Sequence, residues 1–246
     1  MAWINIPGAA VPLRCWLEQP SAARSLVLVL PEVFGINGWL RSIAARLAAE
    51  GHGALVLPLF ARSAPDLELG YDQAALAQGR LHRDQVTVEN FLADARAVLA
   101  WRLEQPSLRQ LPVAAVGFCF GGHLAWHLAG LAELGATASF YGARVASYRP
   151  GGGAPTLELA SQIPGRFLAF MGEQDPLMPP EEQQAIERAL AEADPSGRRL
   201  ACISAAAGHG YMCNQRPDFQ AEAAAAGWRQ LLQLLQSIEP LEVAGS

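Results

Sequence analysis

Lysine is absent from the sequence; all 18 basic residues are arginine. That excludes a Schiff-base lysine or a phosphate-loop lysine from any mechanism. Cysteine is scarce, and Cys15, Cys119, Cys202 and Cys213 show neither C-x-x-C pairing nor the density of a disulfide framework. Reduced thiols are therefore expected, which leaves one of them open to a nucleophilic role. No apolar run approaches the roughly 18–20 residues that span a bilayer. The N-terminus MAWINIPGAAVPLRCWLEQP lacks the basic start and small-residue cleavage site of a secretory signal. No block of basic residues occurs, and the formal net charge of −5 is spread over both signs. This argues against nucleic acid or an anionic membrane as partner. The expectation is a cytoplasmic protein acting on a small molecule.

What is present is apolar substance, 51% of the 246 residues, enough for a sizeable core. A single domain over 1–246 is expected, with no insertion long enough for a cap. Short apolar runs at 25–31, 53–58, 113–118, 136–142, 166–172 and 200–205 read as strands buried on both faces. Helical patterns fall between them at 38–50, 84–104, 121–133, 180–193 and 217–236, with Asp84 and Pro217 as starts and Gly51 as a stop. Alternation of this kind predicts a doubly wound, mostly parallel α/β sheet flanked by helices. The first twenty residues suit a hairpin at one edge. The Gly- and Pro-rich segment 144–165 reads as a loop with at most one short turn.

The stretch VAAVGFCFGGHLAW, 113–126, carries the chemistry. A nucleophile elbow needs small residues two before and two after the reactive side chain, because a strand must turn sharply into a helix. Gly117-Phe118-Cys119-Phe120-Gly121 meets that requirement between an apolar strand and a helical pattern. The turn sets Cys119 at a helix N-terminus, which favours a thiolate. A buried cysteine in an ordinary tight turn is the plainer alternative, and the strand–turn–helix context weighs against it. A thiol nucleophile needs a base and an orienting acid, which in this architecture follow in the order acid, then histidine. Asp175, in GEQDPLMPP, follows the strand at 166–172; His209, in AAAGHGYM, follows the strand at 200–205. An aspartate opening a turn before proline is common alone, and so is a loop histidine; order and placement together single these two out. His52 and His82 sit in polar connections. His123 and His127 form an H-x-x-x-H pair, but without a following Glu or a third ligand the reading is packing or a helix-face hydrogen bond, not a metal.

GFCFGGHLAW, together with LPEVFGING, GEQDPLMPP and AGHGYMCNQRPDF, resembles the dienelactone hydrolases, or carboxymethylenebutenolidases, a cysteine-nucleophile branch of the α/β-hydrolase superfamily. The resemblance runs from about residue 25 to 236. It implies an α/β-hydrolase fold, Cys119 as nucleophile, His209 as base and Asp175 as orienting acid. It further implies that Glu32 contacts the resting thiol and keeps it protonated until substrate arrives. A buried, unpaired carboxylate with a raised pKa suits such proton sharing. Backbone N–H groups of Phe120 and Val33 are the implied oxyanion donors. For a substrate carboxylate, Arg62 matches the first of the family's two arginines. Cys213 stands where the second would be, and Arg216, three residues on, either reaches inward or caps the following helix. Tyr71 and Trp39 are candidate pocket walls.

The resulting expectation is a hydrolase of small esters or lactones, working through an acyl-thioester, with no metal or organic cofactor. A general carboxylesterase or thioesterase without carboxylate preference is the alternative among enzymes. A non-catalytic binding protein of the same fold and a thiol redox protein are the alternatives outside that class; the set Cys119, Asp175 and His209 speaks against the first, and the lack of an evident resolving cysteine against the second.

Overall fold

The computed structural model describes residues 1–8 and 10–238. The N-terminal segment forms an antiparallel hairpin of β1 (Ala2–Ile6) and β2 (Leu13–Glu18). There follow β3 (Leu26–Leu30), α1 (Gly38–Ala49), β4 (Gly53–Val56), α2 (Gln73–Arg83) and α3 (Val88–Leu103). The second half comprises β5 (Val113–Phe118), α4 (Phe120–Ala129), β6 (Leu134–Phe140), β7 (Arg166–Gly172), α5 (Pro180–Ala193), β8 (Leu200–Ala205) and α6 (Ala221–Gln236). A 3-10 turn at Thr156–Gln162 is the regular element of the 144–165 connection. The strands make one eight-stranded sheet in the order β1-β2-β4-β3-β5-β6-β7-β8, parallel from β4 to β8.

The run LVLVL of β3 is buried at all five positions, as a strand covered on both faces must be. Val27 and Val29 point toward α1 and α6, where they meet Ile43 and Leu231. Leu26, Leu28 and Leu30 point the other way, into the layer of α3 and α4 with Val98 and Leu124. Two helical layers thus sandwich the sheet, and the loops after the parallel strands all emerge at one edge, where open α/β sheets build sites.

The largest departure from the sequence reading lies at 73–103. One helix from Asp84 was expected; two helices occur, and Asp84 closes α2 instead of opening α3. Asp72 caps α2 by accepting from the Ala75 N–H at 2.7 Å, and Thr87 caps α3 by accepting from the Asn90 N–H at 3.2 Å. α2 escapes periodicity because it buries only Ala75 and Gly79. Gly79 is there for closeness: a Cβ would lie 2.3 Å from the Val33 carbonyl oxygen. The helix backbone therefore packs directly on the loop after β3 and carries Arg80 and Arg83 to the site edge. Smaller shifts are α4 ending at Ala129 instead of 133, β6 beginning at Leu134, and α6 beginning at Ala221, four residues after Pro217.

Candidate active site

At the end of β5 the chain reverses through Cys119, whose φ of 54° and ψ of −115° lie where side chains other than glycine are strained. The surroundings hold it there. The Cys119 N–H donates to the Phe140 carbonyl at 3.0 Å, and the Gly121 N–H donates to the Pro31 carbonyl at 3.0 Å. The elbow closes only without side chains at its flanks, since a Cβ on Gly117 would fall 2.0 Å from the Gly121 carbonyl oxygen. Strain of this kind, about 1–3 kcal/mol per residue, persists only where the surrounding structure over-determines it.

Asp175 and His209, from the loops after β7 and β8, meet beside it. His209 Nδ1 lies 2.7 Å from Asp175 Oδ2 with both side chains buried, and Asp175 Oδ1 accepts from the Leu177 N–H at 2.8 Å. An Nδ1–H donated to the aspartate leaves Nε2 turned to the cleft, where that atom is buried and makes no hydrogen bond among the described residues. Burial opposes the imidazolium, but Cys119 and Asp175 outweigh it and raise the His209 pKa above its ordinary value. The other three thiols differ from Cys119 in setting. Burial pushes Cys15 and Cys202 up to about 12, and Cys213 to about 11, so they stay protonated.

Glu32 follows β3 and is buried. Its Oε1 accepts from Arg216 Nη1 at 2.9 Å, while Oε2 has no partner among the described residues. Burial raises its pKa, against the lowering influence of Arg216 and His209. Its hydrogen-bond partner is thus Arg216, which reaches inward, and not the Cys119 thiol. The N–H groups of Val33 and Phe120 have no backbone acceptor among the described residues. Both residues line a cleft of about 320 Å³ together with Cys119 and His209.

The model of the dienelactone hydrolase family covers residues 13–239. The chain belongs to the dienelactone hydrolase family. A Synechocystis protein carrying the carboxymethylenebutenolidase name is 33% identical over 236 residues, 95% of each chain. The carboxymethylenebutenolidase of Pseudomonas sp. is 30% identical over 233 residues, covering 93% of this chain and 92% of its own. A Klebsiella pneumoniae structure solved under the dienelactone hydrolase name shares the fold, with a TM-score of 0.83 at 23% identity over 96% of this chain and 97% of its own. Membership places the protein among the carboxylic ester hydrolases of the α/β-hydrolase superfamily.

In this member of the family the arginines lining the Cys119 cleft do not include the expected Arg62. The Arg62 guanidinium is bound bidentately by Asp94, with Nη2 to Oδ1 at 2.9 Å, and lines a separate cavity of about 90 Å³ with Phe91 and Leu57. Arg80 and Arg83 of α2, and Arg144 after β6, line the Cys119 cleft instead, with Tyr148 and Leu177. Arg144 holds a positive φ of 66° and lies 4.7 Å above the Tyr148 ring. Trp39 is a core residue, packed edge-on against Phe118 at 5.1 Å, and does not reach the cleft. Tyr71 sits behind Glu32, where its hydroxyl accepts from Asn37 Nδ2 at 3.0 Å.

His123 and His127 are joined through one hydroxyl. His123 Nε2 and His127 Nε2 lie 2.8 and 2.9 Å from Thr156 Oγ1, and His123 Nδ1 lies 2.8 Å from the Ala143 carbonyl. His123 Nδ1 must then donate to Ala143, so its Nε2 accepts from the Thr156 hydroxyl, which in turn accepts from His127 Nε2–H. The pair is a neutral strut under the Ala143–Arg144 wall, and the described residues contain no group of three metal-ligating side chains. Burial is the leading cause that lowers His123 to about 4 and His127 to about 3. The unfolded state, with ordinary histidines, binds protons first as pH falls. Melting temperature should therefore decline between about pH 6.5 and pH 4, and His127→Gln should flatten that decline. An equally steep acid decline in the variant would contradict the assignment.

Proposed function

We propose that the protein hydrolyses small esters or lactones bearing an acidic group, through a thioester on Cys119. The observation that carries this reading is the Cys119 elbow sharing one cleft with the 2.7 Å His209–Asp175 pair. The Cys119 thiolate attacks the carbonyl carbon, and the oxyanion is held by the Phe120 and Val33 N–H groups. As the tetrahedral species collapses, the carbon–oxygen bond to the leaving group breaks and the alkoxide takes the Nε2 proton of His209. Water then attacks the thioester, His209 accepts its proton, and the thiolate departs with the acid product released. Asp175 keeps the imidazole in the tautomer and orientation that both proton transfers need. A reducing cytoplasm suits four cysteines that are all free.

The acid preference is supported by charge. In a chain of net charge −5, the cleft has Arg80, Arg83 and Arg144 on its walls and no carboxylate among its lining residues. Arg83 already engages its neighbour Asp84, which leaves Arg80 and Arg144 as the principal anchors. Charge-assisted hydrogen bonds contribute about 1.5–3 kcal/mol, so Arg144→Ala should raise KM for an acid-bearing lactone by about 10-fold or more with little change in kcat. Turnover of p-nitrophenyl acetate, which carries no acid, should be unaffected. Equal losses on both substrates would instead mark a general esterase without acid preference.

A further inference from the structure

The loop after β3 is tied down on both sides of Val33 but not at Val33 itself. The Pro31 carbonyl accepts from the Gly121 N–H at 3.0 Å, and the Phe34 carbonyl accepts from the Leu69 N–H at 2.9 Å. The Glu32 carbonyl accepts from the Gly35 N–H at 3.4 Å, and the Ile36 N–H donates to the Leu67 carbonyl at 3.1 Å. Neither the N–H nor the carbonyl of Val33 makes a backbone hydrogen bond among the described residues. Helix α2 sits against it instead. A Cβ on Gly79 would fall 2.3 Å from the Val33 carbonyl oxygen, 3.0 Å from the carbonyl carbon and 3.2 Å from the Val33 Cβ. All three of its nearest atoms thus belong to Val33. Gly79 and Ala75 are the two buried residues of α2, so this contact is a main seat of the helix on the body of the protein. A helix interior favours alanine over glycine unless another backbone comes too close for a side chain.

We propose that Gly79 is a positioning residue: through it the α2 backbone bears on Val33 and holds the Val33 N–H in the oxyanion position beside Cys119. The proposal rests on the reading of Val33 as an oxyanion donor. Such a donor has to stay open for the substrate oxygen, so its own hydrogen bond cannot fix the peptide. Val33 has no bond through its carbonyl either, which leaves packing to set its place. Oxyanion donors act by being in position before charge develops, and small displacements are costly. Gly79 lies on the cleft side of α2, next to Arg80, and Val33, Arg80, Phe120 and Cys119 line the same cleft.

The test compares the full-length parent with Gly79→Ala and with Gln78→Gly. The exposed neighbour Gln78 weakens the helix when replaced by glycine but adds nothing against Val33. With p-nitrophenyl acetate, Gly79→Ala should lose about 10- to 100-fold in kcat with little change in KM, since acylation and deacylation both pass through an oxyanion. Inhibition by 1,1,1-trifluoroacetone should weaken by a similar factor. There the thiolate adds to the ketone carbon, a carbon–sulfur bond forms, and the carbonyl electron pair moves to oxygen as an oxyanion. Iodoacetamide alkylation of Cys119 displaces iodide from a saturated carbon and develops no oxyanion. Its rate, read by mass spectrometry of the Cys119 peptide, should match the parent. Gln78→Gly should match the parent in all three. Parental kcat and inhibition in Gly79→Ala would overturn the proposal. So would alkylation falling in step with kcat, which marks damage to the thiol itself, or the same losses in Gln78→Gly. Because α2 is seated by so few side chains, a Gly79→Ala helix that lifts away leaves the sheet and elbow intact. Lifting without an effect on Val33 would raise KM for an acid-bearing lactone and spare p-nitrophenyl acetate, which also overturns it. A parent without turnover sinks the hydrolase reading and this proposal with it, whereas an active parent matched by Gly79→Ala sinks this proposal alone.

Discussion

Cys119→Ala should bring p-nitrophenyl acetate and lactone turnover down to the uncatalysed background, a loss of about 10⁴-fold or more. The melting temperature should stay close to that of the parent. The magnitude follows from the role assigned: every bond change in the mechanism passes through this sulfur, and the remaining thiols cannot substitute. Cys15 and Cys213 are buried, and burial holds their pKa values at about 12 and about 11. Cys202 sits on the edge strand β8, between Ala201 and Ile203, away from the cleft. Stability is spared because alanine has the same Cβ at φ 54°, and the Gly117–Gly121 contact that closes the elbow is untouched. Steady-state kinetics with thermal melts measure both parts. Substantial residual turnover in a folded Cys119→Ala protein would remove the cysteine from its assigned role.

The second large effect is expected from Asp175→Asn, about 10²- to 10⁴-fold in kcat with modest change in KM. The carboxylate does two things for His209. It accepts the Nδ1 proton at 2.7 Å, which fixes the tautomer, and it favours the imidazolium. An amide can offer its NH₂ to Nδ1 and so reverse the tautomer, turning the protonated Nε2 away from the base role. With Asp175 gone, one of the causes that raise the His209 pKa is also lost, so the imidazolium should disappear at lower pH than in the parent. The basic limb of the pH–rate profile should therefore move toward acid. An Asp175→Asn enzyme with parental kcat and an unmoved profile would show that the pair is structural.

Much of this architecture was legible in the chain, for identifiable physical reasons. The strands at 113–118, 166–172 and 200–205 coincide with those of the structure because runs such as VAAVGF are apolar on both faces and end at residues that cannot continue a strand. The elbow was legible because its glycines answer to a steric demand that other residues cannot meet. What stayed hidden was set by tertiary packing. Helix α2 presents almost no apolar face, so periodicity passed over it, and with it went Arg80 and Arg83. The capping residue Asp72 and the close-approach Gly79 were the signals that could have revealed it. Arg62 looked well placed because it follows β4, yet Asp94 from α3 claims it, a pairing across 32 residues that spacing does not encode. Tyr141 and Arg144 bracket Gly142 and Ala143 just after β6, and only positive φ values of 41° and 66° mark them as unusual.

The proposed mechanism requires a covalent intermediate at one sulfur. Rapid-quench mass spectrometry of the wild-type protein with p-nitrophenyl acetate measures it directly. The predicted result is a burst of p-nitrophenol accompanied by an acetyl adduct on the Cys119 peptide, formed and lost at rates consistent with turnover and absent from Cys119→Ala. Turnover without any adduct on that peptide, or an adduct on another residue that decays at the turnover rate, would contradict it.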